Sequence, residues 1–327
     1  MSLADCVYAL CNNDICILPT ETVYGLACSA FSVEAIKKVY DLKGRPSTNP
    51  LIVHTIDHES GGDISFTNEY SKQLADVFWP GPLTFILPKK ESVPDQITAG
   101  LGTVAIRSPS HPVFRKVLEW VSLPIAAPSA NPSNKLSPTK CQDAIAAFGK
   151  NCPPFLDGGQ CDIGIESTVL DLTSPSPSIL RLGPITKEAI ENALGIQVQY
   201  HGNILNKPKK INSYQSPGQA LKHYSPNTPL FLYSTLEQML QSNEIKENDV
   251  VILPTSKLVI QLPVKSCSEL YLSLTGDPKE ITKNLFQTLN EADKLKRKRI
   301  HAALYQSDHG ILSAVNDRLR RAATERF

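Results

Sequence analysis

The chain has 327 residues, of which 41% are hydrophobic and 20% are charged, and its formal net charge is +1. This composition is typical of a globular protein with more than one domain. Because the net charge is close to zero, the chain is not basic overall. A local basic surface is not excluded. The sequence contains no run of about 18 apolar residues, so no membrane span is predicted. Residues 1–5 lack the cationic start of a signal peptide.

The eight cysteines predict free thiols rather than a disulfide framework. None of them forms a C-x-x-C pair, and several stand in apolar runs. We therefore expect reduced, buried cysteines in a cytoplasmic protein and no zinc site.

Residues 1–200 alternate strand-like and helix-like segments. A helix over residues 33–42 begins after Ser32 and stops before Gly44, and a helix over 69–78 ends before Pro80. A third helix, over 187–194, is capped by Thr186. Strands are predicted at 15–18, 83–87, 103–107, 123–127, 167–172 and 178–182. A further strand follows the first helix and ends at His54.

The remainder of the chain divides into a polar stretch and a second alternating segment. Residues 201–228 are rich in lysine and proline without a sustained apolar period, which predicts a linker. Residues 229–327 predict strands at 230–233, 250–253 and 302–305, and helices at 236–241, 279–295 and 312–323. This order predicts a small Rossmann-like, doubly wound α/β domain with a parallel sheet.

Several common signatures are absent from the sequence. It contains no G-x-x-x-x-G-K-[ST], no G-x-G-x-x-G, no H-E-x-x-H and no G-x-S-x-G. A nucleotide would therefore be held without a glycine-rich loop, by side chains and helix N-termini.

Polar side chains gather where the predicted elements end. The clusters comprise Thr20, Glu21 and Thr22; Lys43, Arg45 and Asn49; His54; Arg107; Ser129, Asn131 and Ser137; Glu166, Ser167 and Thr168; and Arg181. Each residue has a structural alternative, because hydroxyls cap backbone groups and cations complement helix C-termini. Arg107 and Arg181 are harder to explain in this way, because a charge in an apolar strand needs a partner, and an anionic ligand would supply one.

Taken together, these residues resemble the YrdC-like family of threonylcarbamoyl-AMP synthases over residues 18–181. The lysine–arginine and serine–asparagine signature of that family corresponds to Lys43, Arg45, Ser129 and Asn131. Residues 216–226 resemble the linker of the long, two-domain form, and residues 316–323 resemble the end of its second domain. The resemblance implies a YrdC-like open twisted α/β domain over 1–200, a linker over 201–228 and the Rossmann-like domain over 229–327.

The resemblance also implies a reaction and its site. L-threonine, bicarbonate and ATP would give threonylcarbamoyl-AMP and pyrophosphate, and the product would serve the threonylcarbamoyladenosine modification of tRNA. Catalytic roles fall on Lys43, Arg45, Ser129 and Asn131. Threonine would be held by Thr22, His54, Arg107, Ala127 and Ser167. ATP would be held by Arg45, Asn49, Thr103, Ser129, Ser137, Arg181 and Tyr224.

The residue types suit this chemistry independently of the resemblance. Negative charge accumulates on the phosphates and the carbamate, so fixed cations and hydrogen-bond donors should stabilise the reaction. We expect Mg²⁺ to arrive with ATP, and no dedicated metal site in the chain. Expected partners are the tRNA threonylcarbamoyl-transfer machinery, with tRNA or RNA contact as a further expectation, and no membrane.

Two rival interpretations remain at this stage. One is a non-catalytic RNA-binding protein that assists translation or RNA maturation, for which the basic run 294–299 is the sequence signal. That run is equally explained as the solvated end of a helix. The other is a carbamoyl transferase that uses carbamoyl phosphate, although the zinc-finger cysteine spacing of such proteins is missing.

Overall fold

The computed structural model describes residues 1–201, 223–257, 262, 264, 266–307 and 310–327. Most of the predicted linker, over 202–222, therefore lies outside the described residues. Within the described part of the chain, the strands form a nine-stranded sheet and a five-stranded sheet, and no helix is long and apolar enough to cross a membrane.

The first sheet and its helices occupy residues up to 200. The strands are β1 (Cys16–Leu18), β2 (Gly25–Ser29), β3 (Ile52–His54), β4 (Leu83–Pro88), β5 (Thr103–Arg107), β6 (Ile125–Ala126), β7 (Thr168–Asp171), β8 (Ser178–Arg181) and β9 (Gln199–Tyr200). The helices are α1 (Leu3–Cys11), α2 (Val33–Lys43), α3 (His58–Gly61), α4 (Glu69–Phe78), α5 (Asp95–Thr98), α6 (Pro112–Val121), α7 (Cys141–Phe148) and α8 (Lys187–Leu194).

The second sheet belongs to the C-terminal part. Its elements are β10 (Leu230–Tyr233), α9 (Leu236–Leu240), β11 (Val250–Leu253), β12 (Ser268–Tyr271), α10 (Pro278–Lys294), β13 (Ile300–Ala303), α11 (Ile311–Ala322) and β14 (Glu325–Arg326). All its strand pairs are parallel, in the order β12-β11-β13-β10-β14. The prediction of a parallel α/β second domain is confirmed.

Local signals explain where the helix that leads into the site begins and ends. The Ser32 hydroxyl accepts from the Ala35 amide at the start of α2, and Gly44 ends the helix with φ 58°. Only glycine adopts this left-handed conformation without a steric penalty. The helix thereby stops immediately after Lys43, whose side chain is buried.

The first sheet is mixed and brings two distant strand ends together. Its order is β1-β2-β6-β3-β5-β4-β7-β8-β9, with β3 and β5 parallel and in contact. Because parallel strands end at the same edge of a sheet, His54 and Arg107 become direct neighbours in register. Open α/β sheets bind ligands at such carboxyl edges.

The two domains share one apolar core. It contains Ile36 and Leu74 from helices of the first domain and Leu285 and Leu319 from helices of the second. The end of the linker joins the same core, because the Tyr224 ring lies 5.3 Å from the Phe286 ring of α10. Packing between the domains is therefore continuous rather than limited to a polar contact surface.

Some predicted boundaries and omissions need correction. The strand predicted at 302–305 was wrong by two residues, since β13 starts at Ile300 and ends at Ala303. Predicted strand 123–127 is shortened to the two residues of β6, and beyond it the chain keeps only an isolated bridge from Ser129 to Gly25 of β2. Elements without a sequence prediction are α1, β2, α3, α5, α6, α7, β9, β12 and β14.

Candidate functional site

A tight turn after β1 presents Thr22. The Thr20 hydroxyl donates to the Val23 carbonyl at 2.7 Å and accepts from the Thr22 amide at 3.1 Å. The two threonine hydroxyls lie 2.8 Å apart. These short-range bonds hold the loop without regular structure, so Thr22 is directed at the strand end that carries Arg107.

Arg107 is buried, and each of its three nitrogens has one polar neighbour, although Nη2 meets Glu21 as an ion pair rather than through a hydrogen bond. Its Nε donates to the Gly81 carbonyl at 3.1 Å, and its Nη1 donates to the Thr22 hydroxyl at 3.1 Å. Its Nη2 forms an ion pair with Glu21 Oε1 at 2.6 Å, with both side chains buried. This ion pair offsets part of the desolvation free energy that is lost when a guanidinium is buried in a β-strand.

His54 stands beside Arg107 as a neutral imidazole. Burial, assisted by the Arg107 charge, lowers its pKa to about 3. Its Nδ1 lies 3.3 Å from the Ile125 carbonyl, which assigns the proton to Nδ1. The other ring nitrogen, Nε2, is then an acceptor.

Lys43 anchors the serine–asparagine loop from behind. Its Nζ donates to the Ser129 carbonyl at 2.5 Å and to the Asn131 carbonyl at 2.6 Å. Burial, together with the nearby Arg45 charge, lowers the pKa of Lys43 well below its usual value. The lysine therefore fixes the loop backbone that carries the Ser129 and Asn131 side chains.

Arg45 is held by the segment that follows it. Its Nε donates to the Asn49 carbonyl, and its Nη2 donates to Asn49 Oδ1 at 2.6 Å and to the Pro50 carbonyl at 2.8 Å. Burial lowers its pKa to about 10, so it remains a cation at neutral pH. Asn49 thus orients Arg45.

Glu166, Ser167 and Arg181 form a further polar group of the site, and Ser137 contacts Glu166. Ser137 Oγ donates to Glu166 Oε1 at 2.6 Å. Arg181 donates from Nε to the Ser167 carbonyl and from Nη2 to the Ser167 hydroxyl, at 3.0 and 2.9 Å. Burial lowers the pKa of Arg181 to about 10, leaving it charged.

His223 and Tyr224 enter this region from the end of the predicted linker. Both are buried, and their rings are 4.0 Å apart. Burial raises the pKa of Tyr224 to about 12. Burial and the surrounding cations Arg45, Lys43, Arg321 and Arg318 lower the pKa of His223 well below its usual value.

These side chains surround one cavity in which about 50 Å³ is free. Ligand pockets are usually about 300–1,000 Å³, so the free volume of this cavity is smaller than a large ligand needs. The cavity is lined by Thr22, Val23, Arg45, Ile52, His54, Arg107, Ala127, Pro128, Ser129, Glu166, Ser167, Arg181, His223 and Tyr224.

The structure gathers most of the predicted site residues at this cavity. The residues that do not line it are Lys43, Asn49, Thr103, Asn131 and Ser137. Four of them contact or adjoin lining residues, as described above. Thr103 begins β5 while Arg107 ends it, which separates them by about 13 Å along the strand. The ligand roles of all these residues remain predictions.

The sequence predicted no individual role for Glu21 or Glu166, which shape the cavity, and it predicted for His223 only that its segment folds over the site and excludes water. Glu21 is the buried partner of Arg107, and Glu166 lines the wall. His223 lies beside Tyr224 and lines the cavity. Glu21 and Glu166 directly precede predicted site residues in the sequence, which was the available signal.

The basic run 294–299 is partly engaged in structural contacts. Lys294 pairs with Asp143 of the first domain at 2.7 Å. Arg299 pairs with Glu244 at 3.3 Å and lies over the Phe231 ring at 5.0 Å. Lys296, at the end of α10, is exposed.

Comparison with known proteins places this architecture in a defined class. A family model described as "Telomere recombination" (Sua5_yciO_yrdC) matches residues 9–183, which contain eight of the nine strands of the mixed sheet and most of the cavity wall. A model described as "Threonylcarbamoyl-AMP synthase, C-terminal domain" matches residues 185–324. The chain thus belongs to the threonylcarbamoyl-AMP synthase family in its two-domain form.

Individual relatives agree over nearly the whole chain. The threonylcarbamoyl-AMP synthase of Pyrococcus abyssi is 37% identical over 311 residues, covering 94% of this chain and 90% of the relative. That of Bacillus subtilis is 37% identical over 330 residues, covering 98% and 92%. The crystal structure of P. abyssi Sua5 complexed with L-threonine superposes with a TM-score of 0.89 at 33% identity, covering 99% of this chain and 96% of that one. This likeness confirms the predicted two-domain α/β fold.

Proposed function

We propose that this enzyme makes L-threonylcarbamoyl-AMP from L-threonine, bicarbonate and ATP, with release of pyrophosphate. The observation that carries the proposal is the convergence of Arg45, Arg107 and Arg181 on one cavity. Three substrates that are anionic or carry a carboxylate would need such a concentration of fixed positive charge.

Threonine would bind at the ends of β3 and β5. Arg107 can hold its carboxylate bidentately, with Thr22 alongside. The Nε2 acceptor of neutral His54 can accept a hydrogen bond from the threonine hydroxyl. A buried acceptor left unpaired is costly, so this contact would disfavour analogues without the hydroxyl. The P. abyssi relative, solved with L-threonine, supports this substrate.

ATP would bind along the wall formed by Arg45, Ser129 and Arg181, with Tyr224 over it after rearrangement. The threonine amine and bicarbonate give a carbamate and water. A carbamate oxygen then attacks the α-phosphorus, and the bond from the α-phosphorus to the pyrophosphate oxygen breaks. Arg45 and Arg181 are placed to stabilise the charge on the transferring phosphate, and Lys43 fixes the Ser129 loop.

The remaining assignments extend this proposal. Mg²⁺ would arrive with ATP, held mainly by phosphate oxygens and water, as that ion prefers. The product would pass to the machinery that modifies tRNA. A cytoplasmic location fits the eight free cysteines, because reducing compartments preserve thiols.

The test is pyrophosphate release by the purified chain with ATP and Mg²⁺, with threonine and bicarbonate each supplied or withheld, and detection of the product by mass spectrometry. Release should require both substrates. Arg45→Ala and Arg107→Ala should abolish it, whereas Arg297→Ala, an exposed arginine beyond α10, should not change it. Absence of release under every combination would reject the proposal and favour the non-catalytic RNA-binding alternative.

A further inference from the structure

A buried arginine of the second domain reaches the wall of the cavity. Arg318 on α11 is fully buried, and its Nε donates to Glu166 Oε2 at 3.1 Å. The other oxygen of Glu166 accepts from the Ser137 hydroxyl at 2.6 Å. A cation of the second domain is therefore linked, through one carboxylate, to a serine predicted to bind ATP.

The same guanidinium also supports the aromatic side of the cavity. Its central carbon lies 5.4 Å from the centre of the Tyr224 ring, within the range of a cation–π contact. Tyr224 and Glu166 both line the cavity, whereas Arg318 stands behind them. Arg318 is thus placed to act through these two residues.

Asp317 fixes the orientation of Arg318. It accepts from Arg318 Nη1 at 2.9 Å and from Arg321 Nε at 2.9 and 3.0 Å. The third nitrogen, Nη2, is buried and has no hydrogen-bond partner among the described residues. A buried ion network is a costly way to stabilise a domain contact, and apolar side chains often serve equally well. Its cost indicates a role beyond holding the domains together.

We propose that Arg318 is a positioning residue for the ATP half of the site, holding the Glu166 carboxylate, the Ser137 hydroxyl and the Tyr224 ring in their working arrangement. The second domain is thereby part of the nucleotide site. This inference rests on the proposed function for the assignment of ATP to Ser137 and Tyr224. Among the described residues, Arg318 forms no hydrogen bond, ion pair or ring contact with Thr22 or His54 at the threonine end.

The test compares ligand binding by the full chain and by Arg318→Met, with a non-hydrolysable ATP analogue and L-threonine titrated separately in a calorimeter. The variant should bind the ATP analogue about tenfold more weakly or worse, which corresponds to the loss of a charge-assisted hydrogen bond. Its threonine affinity should stay within about twofold of wild type. In Arg318→Ala, which leaves space for the ion, guanidinium at non-denaturing concentration should restore part of the analogue affinity.

Lys283→Met is the matched control, because it removes an exposed ion pair between the same domains, with Asp162 at 3.5 Å. It should leave both affinities unchanged. If Arg318→Met does not fold, Arg318→Lys and Glu166→Gln carry the test and should show the same selective loss. The first keeps a charge but lacks the planar fork.

Unchanged analogue affinity in a folded Arg318 variant would overturn the inference. So would an equal loss for both ligands, which indicates a purely structural role. Selective loss of analogue binding, combined with no pyrophosphate release by wild type, would support the inference and reject the proposed function. Failure of wild type to bind the analogue at all would overturn both.

Discussion

His54 and Arg107 are partners in register on the neighbouring parallel strands β3 and β5. The last residue of each strand therefore reaches the cavity from the same sheet edge, and the imidazole and the guanidinium are both buried there. Burial and the Arg107 charge both disfavour a second cation at this position and lower the pKa of His54 to about 3. The imidazole beside the charged guanidinium is therefore neutral.

This arrangement predicts an acid-sensitive contribution to stability. The pKa of His54 in the unfolded chain is near 6.5, so below that pH the unfolded chain takes up a proton that the folded chain refuses until about pH 3. The contribution is therefore complete above pH 6.5 and is lost as the pH falls toward 3. Between pH 6.5 and pH 5, the free energy of unfolding should fall by about 1–2 kcal/mol less in His54→Asn than in wild type.

Urea unfolding at several pH values measures this difference. His223 and His301 also have lowered pKa values, but they are present in both proteins and cancel in the comparison. Parallel pH profiles for the two proteins would contradict a neutral, buried His54.

Arg107→Lys separates charge from geometry at the threonine end. Lysine retains a cation opposite Glu21, so the free energy of unfolding should change by less than about 2 kcal/mol. Arg107→Ala, by contrast, leaves a buried carboxylate unpaired and should cost about 3–5 kcal/mol. Because lysine cannot form a bidentate contact, kcat/KM for threonine should fall at least about 100-fold. Steady-state kinetics beside thermal unfolding distinguishes these effects, and wild-type kinetics in Arg107→Lys would remove the bidentate role.

Lys43→Met tests the anchor behind the serine–asparagine loop. Two carbonyls lose their donor, so the variant should be about 1–3 kcal/mol less stable and about 100-fold slower in kcat, because Ser129 is no longer held. Lys38→Met is the matched control on the same helix, since Lys38 is more exposed and makes surface ion pairs with Asp14 and Glu34. It should cost at most about 1 kcal/mol and leave kcat unchanged. Equal effects of both substitutions would contradict the anchor.

Gly164 tests how closely the domains must approach. It has φ +81°, and a Cβ there would lie 2.2 Å from the Lys283 carbonyl oxygen on α10. Gly159 has φ +80° with nothing within 4 Å of the same position. Gly159→Ala should therefore cost only backbone strain, about 1–2 kcal/mol, whereas Gly164→Ala should cost at least about 1 kcal/mol more.

The same pair should differ in function. By displacing α10, Gly164→Ala should raise KM for ATP more than KM for threonine, and Gly159→Ala should change neither selectively. Denaturant unfolding and steady-state kinetics give both comparisons. Indistinguishable variants would indicate that the second domain can shift without consequence.

Helices with strong local signals were predictable from sequence. Residues 69–78 and 187–194 were predicted with their observed bounds, because Asn68 and Thr186 are side-chain caps and Gly195 ends the second helix. Similar signals were overlooked elsewhere: Ser2 and Asp5 form a capping box at α1, and Pro112 follows the N-cap of α6. Both helices are therefore predictable from local sequence signals.

Other features had no local signal. The strand β13 begins at Ile300 because His301 is buried against Asp249 and Tyr233, while the more apolar residues after Ala303 lie beyond the strand. Likewise, the predicted site residues are correct in type for an anionic cavity, but the contact between Glu166 and Arg318 joins residues 152 positions apart. Neither hydrophobic periodicity nor short motifs predict contacts between residues so far apart in the sequence.

Because one apolar core runs through both domains, ligand affinity is coupled to the docking of the second domain on the first. Since Leu285 and Leu319 pack in the same core as Ile36 and Leu74, undocking the second domain would expose apolar surface as well as dismantle one wall of the cavity. By mass action, any ligand that needs that wall must also resist undocking. Substrate should therefore slow proteolysis and amide exchange along α10 and α11, far from the atoms it touches.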